Sequence, residues 1–174
     1  MITTPTLLLD EEKCRRNIRM MAEKARNSDV VFRPHFKTHV SHEIGSWFRE
    51  EGVEKITVSS LRMAQYFASV GWKDILVAFP VNILEIGLIN ALAADIDLSV
   101  LVEAPETAAS LAENLKSRLG VYVKIDSGLK RTGIPFNKGR TYPRSGPLDR
   151  FLGRLIDRHH VIPIHDLPRN SERD

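Results

Sequence analysis

The chain has 174 residues, 43% of them hydrophobic and 27% charged, and a formal net charge of +3 at pH 7. That is long enough for one domain with a substantial core, and the composition is that of a soluble globular protein. No apolar run approaches the ~20 residues of a membrane span, so no membrane is expected as a partner. The modest charge gives no reason to expect nucleic acid either.

Taken in order, the N-terminal MITTPTLLLDEEK lacks the basic start of a signal peptide. Cys14 is the only cysteine, so no intrachain disulfide forms and a reducing cytoplasm is the expected location. TLLL at 6–9 predicts a short strand. Asp10 can cap a helix whose inward positions are Cys14, Ile18, Met21 and Ala25. Residues 30–39 predict a second strand. Ser41 can cap a helix with Ile44, Trp47 and Phe48 inward, stopped by Gly52. KITV at 55–58 predicts a strand, and Ser60 opens a helix carrying Met63, Ala64, Phe67 and Val70, ended by Gly71. DILVAF at 74–79 is the next strand. Asn82 and Glu85 then resemble a capping box before a stripe of Ile86, Ile89 and Ala93. IDLSVLV at 96–102 is a strand, and Pro105 suits a first helical position. Ala108, Leu111, Leu115 and Leu119 give the inward face up to Gly120, and VYVKID at 121–126 predicts a last strand.

Strand starts therefore fall near 6, 30, 55, 74, 97 and 121. Such regular alternation of strand and helix, with mostly apolar strands, predicts a parallel α/β sheet. A barrel and an open doubly wound sheet both fit. No GxGxxG follows a strand, which weakens a dinucleotide-binding reading.

The stretch VVFRPHFKTH at 30–39 concentrates the chemistry. As a strand it would place Arg33, His35, Lys37 and His39 on one face, with Pro34, Phe36, Thr38 and Val40 on the other. A lysine crowded by three cationic side chains would lose its proton more easily, and a free amine can attack a carbonyl. The alternative is a solvated basic edge. His35, His39 and His42 have a spacing that could suggest metal, but His42 falls in the next helix. No metal site is expected; His35 is read as orienting the lysine or a cofactor, and His39 as a structural histidine.

RPHFKTH at 33–39 resembles the RPHxKTH signature of the D-threonine aldolase and D-serine dehydratase group. These enzymes are related to alanine racemases through their N-terminal barrel and are pyridoxal phosphate enzymes of fold type III. By this resemblance Lys37 carries the cofactor as an internal aldimine, and His35 belongs to the cofactor site. Val40 stands where the family often has another lysine. DSGLKRTG at 126–133 resembles the family's DxGxxRTG segment, which implies that Arg131 approaches the cofactor's phenolic oxygen. The implied fold is an incomplete parallel (β/α) TIM-type barrel of about six strand–helix units, without the C-terminal β domain of the family. That domain supplies the divalent metal ligands of the relatives and contributes to their homodimer site, so the metal ligands are not expected here.

Residues 1–138 are thus expected to form a partial barrel domain. From 139 to 174 there are seven Arg and no Lys, against nine of each before. This shift suggests a basic, frameshifted or truncated tail; a native helix at 148–157 followed by strand VIPI is the other reading. The resemblance implies a pyridoxal phosphate-dependent lyase acting on a small D-amino acid, of which this chain is an N-terminal part that need not be active alone. A non-catalytic cofactor-binding protein of the homeostasis type, an amino-acid racemase and a basic binding module using the tail are the alternatives.

Overall fold

A computed structural model of the chain describes residues 3–6 and 8–135. The expectations for residues 139–174 lie outside the described residues.

The first helix, α1 (Glu11–Asn27), begins where Asp10 accepts the Lys13 N–H. Its buried residues are Ile18, Ala22 and Ala25. Met21, expected inward, is exposed, and Ala22 takes its place. Helices α2 (His42–Glu50) and α3 (Leu61–Ser69) start at Ser41 and Ser60, whose hydroxyls accept the N–H groups of Ile44 and Met63. Each of these caps contributes about 1 kcal/mol. Both helices stop before a glycine at positive φ, Gly52 at 80° and Gly71 at 93°, a conformation glycine adopts without steric cost.

Strands β1 (Lys55–Val58), β2 (Asp74–Pro80), β3 (Asp97–Val102) and β4 (Gly120–Val123) form one parallel sheet in the order β1-β2-β3-β4. The register runs Lys55 beside Asp74, Asp74 beside Asp97, and Ser99 beside Gly120. Helices α3, α4 (Ile86–Asp95) and α5 (Pro105–Asn114) make the crossovers. Right-handed crossovers between strands in strictly sequential order put every helix on the same face. That is the arrangement of a barrel wall, whereas a doubly wound sheet has helices on both faces. Burial agrees. Ile75, Val77, Leu98, Val100, Val102 and Val121 join Ala64, Phe67, Ile89, Ala108 and Leu111 in one core. The alternate residues Asp74, Leu76, Ser99, Leu101 and Tyr122 face the other way and are not buried. The chain is therefore α/β, part of a parallel TIM-type barrel, as expected.

Several local expectations are corrected. Thr6, Leu8 and Leu9 are not in a strand; Leu8 and Leu9 are exposed and no described strand pairs with them. Asn82 caps a 3-10 turn, Ile83–Glu85, by accepting the Leu84 N–H, and α4 follows with no side-chain cap. The capping box does not form because this turn separates Asn82 from the α-helix. Gly120 does not end a helix: α5 stops at Asn114, Leu115 and Leu119 pack on the core from the connecting loop, and Gly120 opens β4. A Cβ at Gly120 would lie 2.2 Å from the Ser99 Oγ on the neighbouring strand, so the Ser99 side chain would have to move to admit one. The strand expected over 121–126 is divided: β5 (Ile125–Asp126) leaves the main sheet and pairs in parallel with β6 (Ile134–Pro135). No described helix is long and apolar enough to cross a membrane.

Candidate active site

The signature stretch is not a strand. Its only ladder contact is one parallel bridge between His35 and Thr57 of β1. Phe36–Thr38 then forms a 3-10 turn. Successive side chains in such a turn are about 120° apart, not 180°, so the four basic residues do not share a face. Arg33 turns toward the N-terminal ends of the strands. Its guanidinium donates to Asp74 Oδ1 at 2.7 Å and to the Ile56 carbonyl at 3.1 Å. Asp74 also takes Lys55 Nζ at 2.8 Å. His39 packs among aromatic rings, with its centroid 4.5 Å from that of Phe36. The crowding of Lys37 by three cations is therefore overturned, and of those groups only His35 acts on it.

Phe36 explains why the turn forms here. Fully buried, it sits 5.1 Å from Phe48, 5.0 Å from Phe67 and 5.2 Å from Trp72, ring centre to ring centre. A strand would put Thr38 on the same buried face as Phe36, whereas the turn buries Phe36 alone. Lys37 and Thr38 are exposed. His35 caps the turn: its Nδ1 accepts the Lys37 backbone N–H at 3.3 Å. Burial first, and then the Lys37 charge, push the His35 imidazole below the usual histidine range, against a pull upward from the Thr57 backbone. His35 is thus favoured as a neutral acceptor beside the lysine. His42 is set apart from it, with its Nδ1 3.3 Å from the Tyr66 hydroxyl. The three histidines do not converge, and no described group of three His, Cys, Asp or Glu side chains could hold a metal ion.

The second motif follows β4 and β5. Asp126 Oδ1 accepts the N–H groups of Gly128 at 2.9 Å and Lys130 at 3.0 Å. These donors, Gly128 first, hold the Asp126 carboxyl below its usual range. The loop is shaped around a hollow of about 460 Å³ lined by Asp126, Gly128, Lys130, Arg131, Thr132 and Gly133, with Pro135. Glu103, the residue after β3, accepts the Gly133 N–H at 2.6 Å and ties the loop to the sheet. Gly133 has φ 109°, and a Cβ there would lie 2.8 Å from the Asp126 nitrogen. Gly133→Ala is accordingly expected to destabilise the fold by roughly 1–3 kcal/mol, measured as a lower urea midpoint with an unchanged slope.

Lys37 and Arg131 thus lie at the same end of the wall. Lys37 follows the bridge to Thr57 near the C-terminal end of β1, and Arg131 follows β4 and β5. In a β/α barrel this is the end where chemistry sits. Glu103 was not singled out from sequence, although its position directly after an apolar strand marks the same end. Asp74 was also missed, because nothing local to it announces Arg33, 41 residues away in the chain.

Known proteins resemble this chain. The family model for the alanine racemase N-terminal domain matches residues 9–142. D-threo-3-hydroxyaspartate dehydratase of Delftia sp. (strain HT23) is 29% identical over 137 residues, covering 76% of this chain and 36% of that protein. D-serine dehydratase of Dictyostelium discoideum is 32% identical over 145 residues, with the same coverage of 76% and 36%. The chain therefore spans about a third of the length of these curated relatives. A crystal structure of D-threonine aldolase from Filomicrobium marinum superposes with a TM-score of 0.77 at 23% identity, over 91% of this chain and 42% of that one, and speaks to the fold.

Proposed function

This chain belongs to the alanine racemase N-terminal domain family, and from that premise we propose that it carries pyridoxal phosphate on Lys37, as the cofactor-holding part of an enzyme acting on small D-amino acids. The observation that supports this most is the placement of Lys37. It is an exposed amine on a turn fastened by a buried phenylalanine, within RPHFKTH, at the C-terminal end of the barrel wall.

The residues fit such a group. Lys37 offers a primary amine for an aldehyde, and the 126–133 loop offers a hollow lined by Lys130 and Arg131. When bound, pyridoxal phosphate supplies an electron sink for charge developing at the amino-acid Cα. Lys37 would hold the group through its primary amine, and its Nζ would be the atom that takes up and returns a proton. His35 orients the turn through its Nδ1 contact with the Lys37 backbone. Arg131, which lines the hollow, would supply a positive charge beside the bound group. The bond cleaved is taken to be one of those broken by the related dehydratases and aldolases, in a substrate bearing a β-hydroxyl group. The single cysteine suits a reducing cytoplasm.

Absorbance titration of the purified chain with pyridoxal phosphate, then borohydride reduction and peptide mapping, tests the reading. One dominant adduct on Lys37 is expected. Adducts scattered over surface lysines would overturn it. D-threonine and D-serine assays on the loaded chain then separate turnover from cofactor holding.

A further inference from the structure

His39 is the residue of the signature that the preceding reading leaves without a role. Its ring is half-buried between three elements: the Phe36–Thr38 turn, α2 and α3. These set Phe36 at 4.5 Å, Phe48 at 6.0 Å and Phe67 at 6.3 Å against it, ring centre to ring centre. Its Nδ1 accepts the Ser41 N–H at 3.1 Å. Nε2 is buried and has no hydrogen-bond partner. Nδ1 therefore bears no proton, and the neutral ring carries its hydrogen on Nε2.

Ser41 is also the residue that starts α2. Its hydroxyl accepts the Ile44 N–H, and its carbonyl accepts the Gly45 N–H. The His39 contact thus fastens the Lys37 turn to the head of a helix. Between the two lies Val40, held at φ 44°. A β-branched residue in the left-handed region is strained and stays there only while its surroundings impose it. Its N–H is anchored back to the Phe36 carbonyl at 3.1 Å, and the His39–Ser41 contact spans it.

We propose that neutral His39 is the positioning residue of the Lys37 turn, and that protonating it releases the turn and makes cofactor capture acid-sensitive. The proposal rests on Lys37 being the capture residue. A proton can be added only at Nδ1, where it must expel the Ser41 N–H, and the new cation would be held partly out of water. The titratable side chains nearest on the packed elements do not compensate: Lys37 and Glu43 are exposed, and His42 engages Tyr66. Burial accordingly pushes the imidazole below its usual range. A lowered value means that the neutral, positioned form holds at and above the ordinary histidine range, and that the turn is lost as pH falls through the depressed value.

Capture joins the Lys37 nitrogen to the aldehyde carbon and releases water, and borohydride fixes the product for counting. The full chain is compared with His39→Asn, whose Oδ1 keeps an acceptor for Ser41 but cannot titrate there, and with His39→Phe, which keeps a ring without an acceptor. At pH 7 the Asn variant should capture within about twofold of wild type, while the Phe variant should fall about fivefold, the equivalent of one hydrogen bond. As the pH falls through the lowered range of His39, the Asn variant should come progressively to exceed wild type. In parallel, without cofactor, the Ser41 amide resonance should titrate with His39 in wild type and be flat in the Asn variant. Coincident pH profiles for wild type and the Asn variant, or a Ser41 amide indifferent to His39, would overturn the proposal. If wild type captures no cofactor on Lys37 at any pH, the functional reading fails, while the amide titration still decides the role of His39.

Discussion

Lys37→Ala is expected to abolish the borohydride-stable pyridoxal phosphate adduct while leaving the fold intact. The side chain is exposed on its turn, so truncating it opens no cavity, and surface changes of this kind usually stay within about 0.5 kcal/mol. The turn is held instead by Phe36 inside the core and by the His35 cap, which uses the Lys37 backbone and survives the substitution. Two other lysines of the sheet region are already paired. Lys55 is engaged by Asp74 at the opposite end of the wall, and Lys73 pairs with Asp95 at 3.4 Å. Peptide mapping of the reduced protein checks the first half of the prediction and circular dichroism with urea denaturation the second. An adduct of unchanged yield in this variant would remove Lys37 from the mechanism.

The second large effect concerns stability. Phe36→Ala is expected to cost about 3–5 kcal/mol, the range for deleting a buried aromatic ring. Small domains are stable by about 5–15 kcal/mol in total, so the variant should lose a large part of its margin and unfold at a much lower urea concentration. Four rings lose a partner at once: His39, Phe48, Phe67 and Trp72 all have their centres within 5.2 Å of Phe36. In the wild type the ring is closely enclosed. A Cβ on Gly45, in the middle of α2, would already lie 3.2 Å from the Phe36 ring. Phe36→Leu keeps more of the volume and should fall between wild type and the alanine variant. A wild-type urea midpoint for Phe36→Ala would show that the ring does not anchor the turn.

These two predictions concern adjacent residues with opposite properties, one buried and one exposed. Residue 36 is spent on the core so that residue 37 can be presented at the surface. The acid sensitivity proposed for His39 belongs to the same design, because all three side chains radiate from one short turn.

Much of this was legible in the chain itself. Asp10, Ser41 and Ser60 each precede an apolar stripe of helical period, and each caps the helix that follows. The alternation of short apolar strands with amphipathic stripes announces parallel pairing, since hydrophobic periodicity and capping act over a few residues. RPHFKTH and DSGLKRTG are also local, so the family they belong to could be read directly. The tertiary structure decided what depends on distant partners. The stretch at 30–39 has the composition of a strand but closes into a turn, because a pocket built from Phe48, Phe67 and Trp72 is a better place for Phe36 than a sheet face. Arg33 leaves the expected cationic face because Asp74 waits on another strand. Glu103 reaches Gly133 across 30 residues of chain and holds the Arg131 loop against the end of β3. Local periodicity identifies which segments are helix or strand; only the packed sheet brings a carboxylate or a ring close enough to decide where each functional side chain points.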